Sequence, residues 1–148
     1  MTTTDRRLWI LVGACAAHVA EEYVLEWRSW AATISGLQPT WGQFWLINAA
    51  FLCLAGLAAW VGSKRPVIGL ALPSLTLING FFFHLGPTLS TGRVSPGVFS
   101  SVLLYAPISS WTYWRAHQEG WLTRRVVVQA VALGGTVMAA PFVLFAVG

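Results

Sequence analysis

The chain is 148 residues long, 56% of it hydrophobic and only 9% charged, with a mean hydropathy of +0.64. Soluble domains carry about a quarter charged residues, so the composition excludes an ordinary water-soluble fold and points to an integral membrane protein, a single domain over residues 1–148. The pI of 9.7 comes from nine basic against five acidic residues; the basic ones flank apolar runs rather than forming a patch, which is a topology signal and argues against a nucleic-acid partner.

A helix needs about 20 apolar residues to cross the hydrocarbon core. Five such windows are predicted, at 8–25, 43–61, 67–89, 96–114 and 126–147, giving an all-α membrane bundle of five transmembrane helices. The first opens behind Arg6 and Arg7, which resembles a secretory signal, but the apolar run continues past Cys15 and argues against cleavage. Cys15 and Cys53 lie inside apolar segments and read as small buried thiols, not as a disulfide framework or a Cys-based metal motif. The second window carries Asn48. The third carries Asn79 and His84, five residues apart and hence about 140° apart on a straight helix, with Gly80, Gly86 and Pro87 available to loosen it. The fourth opens with Ser95-Pro96-Gly97, where Ser suits the N-cap and Pro the first turn. It then repeats Ser101, Tyr105 and Ser109 as an inward polar stripe. His117 sits in a polar joint and reads as solvated, and the fifth window, with Gln129, Thr136 and Pro141, reads as structural.

Basic residues set the orientation. Arg6, Arg7, Lys64, Arg65, Arg115, Arg124 and Arg125 fall on one side and only Arg28 and Arg93 on the other, which places the amino terminus in the cytoplasm and the carboxyl terminus outside, in a bacterial cytoplasmic membrane. Trp9, Trp60, Trp111, Trp114 and Trp121 mark the inner interface and Trp27, Trp30, Trp41 and Trp45 the outer.

Charge inside the first window is the strongest functional signal. His18, Glu21 and Glu22 fall within about 100° on one helix face, and Glu26 extends the stripe towards Arg28. Ionisable groups at that depth must face the protein or a wet cavity, and are usually functional. At about 1.5 Å per residue, His18, Glu22, Asn48, Asn79, His84 and Tyr105 all lie between roughly 15 and 25 Å from the inner edge, so four helices bring polar residues to one layer.

The pentapeptide His18-Val19-Ala20-Glu21-Glu22 resembles the motif of the HXXEE family of small multi-pass membrane proteins, a group largely without assigned activity. Asn79 with His84 resembles that family's Asn-to-His pattern, spaced one residue wider, and Arg93 to Val98 resembles its Tyr-x-Pro-Gly turn with Val94 in the tyrosine's place. The resemblance implies a membrane bundle and supplies no reaction.

Three functions follow from the residues. The leading one is acid/base catalysis on a lipophilic small molecule (isomerisation, cyclisation or epoxide opening) by His18, Glu21, Glu22, His84 and Tyr105, with Asn48 and Asn79 orienting the substrate and no cofactor required. The second is a single-metal site, zinc, iron or haem, drawing on His18, Glu21, Glu22 and His84. The third is a proton-coupled carrier or channel. For Asn48, Asn79, Ser101 and Ser109 simple interhelical hydrogen bonding outweighs a chemical role. The expected partners are the lipid bilayer and a hydrophobic small molecule. Small-residue faces at Ala16 with Ala20 and Ala55 with Ala59 allow close helix contact, including in a homo-oligomer.

Overall fold

The computed structural model describes residues 1–147, with the side chains of 1–34 and 36–141. The described residues form helices and turns and no strand. In chain order the helices are α1 (Thr3–Val24), α2 (Trp27–Ser35), α3 (Trp41–Val61), α4 (Pro66–Thr91), α5 (98–118) and α6 (Arg124–Val147). Trp41–Lys64 and Pro66–Thr91 are long and apolar enough to cross a membrane; a third such span exists if α1 and α2, bent by 71°, count as one.

Local chemistry sets the boundaries. Thr2 and Asp5 form a capping box at the start of α1, as do Thr40 and Gln43 at the start of α3. At the bend, Glu26 adopts a left-handed φ of +56°, which turns the chain from α1 into α2. Arg28 does not pair with Glu26; its Nε donates to the Pro39 carbonyl at 2.5 Å and its guanidinium lies over the Trp41 ring. On α2, Trp27, Trp30, Ala31 and Ile34 follow the i, i+3, i+4, i+7 spacing of one face, and that face points into the molecule.

Helix α4 is the central rod, packed against α6, α3, α5 and α1, and every residue from Gly69 to Thr76 is buried. Helices gain little hydrophobic energy by leaving lipid, so close approach and polar contacts hold such a bundle together. Gly134 on α6 illustrates the approach: a Cβ there would lie 2.8 Å from the Ala71 carbonyl oxygen. Between α4 and α5, Thr76 and Ser109 share a 2.8 Å hydrogen bond and Ser74 meets the Tyr113 hydroxyl at 2.5 Å, each bond worth roughly 0.5–2 kcal/mol.

Two stretches of these helices are π-type, Asn79–Leu85 in α4 and Ser101–Tyr105 in α5. The amino terminus, the α3–α4 turn and the α5–α6 joint share one end. There Asp5 accepts from Ser63 N at 2.8 Å and Ser63 Oγ at 3.1 Å, and Glu119 accepts from Thr4 N at 3.2 Å. These are the segments that carry seven of the nine basic residues, Arg6, Arg7, Lys64, Arg65, Arg115, Arg124 and Arg125. Trp9, Trp60, Trp111 and Trp114 are exposed near that end, while Trp121 is buried in the core between α1, α4 and α6.

Candidate functional site

On α1, His18 and Glu22 are one turn apart and both buried, with Glu22 Oε1 3.7 Å from His18 Nε2. His84, only 1% exposed, reaches the same oxygen from α4, with its Nε2 3.6 Å away. In an α-helix Asn79 and His84 would face different ways, but a π turn hydrogen-bonds i to i+5 and so stacks residues five apart. Both side chains therefore line one chamber.

A serine stands behind each imidazole. Ser100 Oγ lies 2.8 Å from His18 Nδ1 and 3.2 Å from the Gly97 carbonyl. Ser95 Oγ lies 3.1 Å from His84 Nδ1 and 3.4 Å from the Pro96 carbonyl. With each hydroxyl proton on its carbonyl the serine accepts from Nδ1–H, the tautomer that leaves a lone pair on Nε2; both Nε2 atoms are buried and without a hydrogen-bond partner among the described residues. Two lone pairs and a carboxylate face one another with no protein donor between them, all three ligand atoms lying within 4.8 Å of one another. A metal ion with bonds of about 2.0–2.2 Å holds tetrahedral ligands some 3.3–3.6 Å apart, close to the 3.6 and 3.7 Å between Glu22 Oε1 and the two Nε2 atoms.

Glu21 goes elsewhere. Its carboxylate accepts from the backbone amides of Gly97, Phe99 and Ser100 at 2.9, 3.0 and 2.7 Å, capping the start of α5. The cap expected of Ser95 is thus supplied by Glu21 from another helix, which frees the Ser95 hydroxyl for His84. The turn held this way supplies both serines and also Gly97, which has φ +100° and lies against both imidazoles. A Cβ on Gly97 would sit 2.6 Å from His84 Cε1 and 2.7 Å from His18 Cε1.

Tyr105 stacks on His18, centroids 4.6 Å apart, and its hydroxyl finds no oxygen or nitrogen partner but lies against the Cys15 thiol. His18, Glu22, His84, Tyr105, Asn48 and Asn79 line a chamber of about 450 Å³ whose other walls are apolar. Asn48 Nδ2 donates to the Phe44 carbonyl, while Asn79 Nδ2 contacts Met138 Sδ and its Oδ1 has no partner. The polar stripe of α5 is buried throughout; Ser109 bonds Thr76, and Ser101 packs against Gly80 outside this chamber. His117 is exposed.

Ser95, Ser100 and Gly97 are the site residues that motif reading does not single out. Ser95 and Gly97 carry a signal in the Ser-Pro-Gly turn, whereas Ser100 carries none. A family model described as "Protein of unknown function with HXXEE motif" matches residues 9–112, a stretch that includes every residue named around the two imidazoles. No curated protein and no solved structure matches the chain.

Proposed function

The chain belongs to the HXXEE family, and from that premise we propose that it is a multi-pass membrane protein that holds one divalent transition-metal ion, zinc or iron(II), on His18 Nε2, His84 Nε2 and the Glu22 carboxylate. The observation that carries the reading is the pair of buried, unpartnered Nε2 atoms 3.7 and 3.6 Å from one Glu22 oxygen, each imidazole held from behind by a serine. Ligating histidines are generally held in this way, by a second hydrogen bond on the far nitrogen. Two histidines and one carboxylate leave coordination positions open towards the chamber. An ion held there by His18, His84 and Glu22 would supply Lewis-acid polarisation of a substrate oxygen or of water, which would serve the acid/base chemistry of isomerisation, cyclisation or epoxide opening on a lipophilic molecule.

Direct proton exchange between Glu22 and the imidazoles without metal is the second reading, favoured by the apolar walls around the carboxyl. Against it, 3.6 and 3.7 Å exceed hydrogen-bond length, and one carboxyl proton serves only one of two lone pairs.

The proposal extends to the bilayer. Five spans, α1 with α2 and then α3 to α6, cross a cytoplasmic membrane with the basic end inside, and the site lies in the outer half.

Elemental analysis of purified protein reconstituted with zinc, or anaerobically with iron(II), tests the metal. One ion per chain is expected, with none retained by His18→Ala or His84→Ala. A folded wild-type protein that takes up no ion sinks the metal reading and leaves direct proton transfer through Glu22.

A further inference from the structure

Resting on the chamber as the substrate space of that centre, we infer that the ligand is a neutral, lipid-soluble molecule carrying a hydroxyl or carbonyl oxygen, and that it enters sideways from the bilayer between α3 and α6.

Charge comes first. Among the described residues no lysine or arginine lines the chamber, and the ionisable side chains there are His18, Glu22, His84 and the phenol of Tyr105. A phosphate or carboxylate headgroup would be taken out of water beside Glu22 with no cationic side chain to meet it. A neutral oxygen meets what the chamber offers. Its lone pair suits a metal ion held on the two imidazoles, and the amide side chains of Asn48 and Asn79 line the same chamber as polar groups for a hydroxyl. At protein packing density the roughly 450 Å³ holds on the order of 15–25 non-hydrogen atoms, an isoprenoid or acyl chain of modest length.

The route follows from helix packing. α6 lies along α4, and α3 packs on α1 and α4, but α3 and α6 share no comparable contact among the described residues. The chamber is lined by Ala50 and Leu54 of α3, by Val137 and Ala140 of α6, by α4 and by the apolar face of α2. Ala50, Leu54 and Ala140 are also exposed at the surface, so the way in that we infer runs between α3 and α6, past lips of apolar side chains that suit a molecule already dissolved in lipid.

Native mass spectrometry in detergent with hexadecanol, palmitate and hexadecyl phosphate as probes, with metal content measured on the same samples, tests both parts. The alcohol is expected to bind one per chain, at least tenfold tighter than the acid or the phosphate. Ala50→Trp or, from the opposite lip, Val137→Phe is expected to lower its occupancy at least tenfold with the metal still at one per chain. Equal or tighter binding of the phosphate overturns the inference, as does alcohol binding indifferent to both lip variants. Chains that pair through this gap and take up no alcohol overturn it too, in favour of a second copy as occupant. Alcohol bound in metal-free protein, and blocked by the lip variants, upholds this inference while removing the metal.

Discussion

The two adjacent glutamates of the motif do opposite work. Glu21 neutralises the start of α5 with three amide hydrogen bonds, so Glu21→Gln should remove about 1 kcal/mol of stability and loosen the turn that backs both histidines. Metal affinity should fall about 10–100-fold, as for other changes behind a ligand, without abolishing uptake. Glu22→Gln removes a buried carboxylate that makes no hydrogen bond to either imidazole, so it should strip the metal and leave the thermal stability of the metal-free protein unchanged or raised. Thermal unfolding and elemental analysis of the two variants separate these roles; equal loss of metal and stability in both would refute the division. Gly97→Ala should cost roughly 1–3 kcal/mol in backbone strain alone and displace both rings, giving a metal-free protein. That His18 and Glu22 share a face and a depth is legible in the pentapeptide, because i and i+4 always stack on a helix. Glu21 lies on the same arc, but its assignment to α5 depends on which amides a distant turn brings within reach, and spacing within one helix carries no such information.

At the scale of single elements, the π stretch of α4 resolves a conflict visible in the sequence. Asn79 and His84 are one residue too far apart to share an α-helical face, and the wider turn absorbs that extra residue. Deleting exposed Phe82 should therefore restore ordinary α geometry with the two residues four apart and still aligned, and metal uptake should survive. Inserting an alanine after Phe82 should rotate His84 out of the site and abolish uptake. Elemental analysis of both variants reads the outcome, and a deletion that loses metal while the protein stays folded would refute this account of the π turn. Helix α2 is the element that the apolar windows miss. Its nine residues are too short for a span, and its start depends on Glu26 taking a left-handed backbone that a glutamate rarely adopts. What was readable was its amphipathic spacing from Trp27 to Ile34, a pattern of 3.6-residue period that hydropathy alone does not register.

For the whole molecule, the basic end is where sequence and fold reinforce each other. Charge counting groups the amino terminus with the α3–α4 and α5–α6 joints, and Asp5 and Glu119 tie those three segments together. Burial pushes the Asp5 carboxyl up, and hydrogen bonds from Thr2 and Ser63 outweigh it, holding the group below the ordinary aspartate range. Glu119 is lowered in the same way, burial opposing and the amides and hydroxyls of the first residues prevailing. A carboxylate depressed in the folded state stabilises above its unfolded pKa, near 4, and loses that contribution as pH falls through its folded value. Stability in detergent should therefore drop below about pH 4, and less steeply in the Asp5→Asn, Glu119→Gln double variant. The same grouping is what the proposed orientation rests on, because seven of nine basic residues lie in these segments. Cys15 is buried, so with Cys53 changed to serine, a single cysteine placed at Ser63 or His117 should react with a membrane-impermeant maleimide only after cells are opened. One placed at Ser90, beyond the site on α4, should react in intact cells. Labelling of all three from the same side would break the proposed topology, in which α4 and α5 both cross the bilayer with the imidazole pair in its outer half.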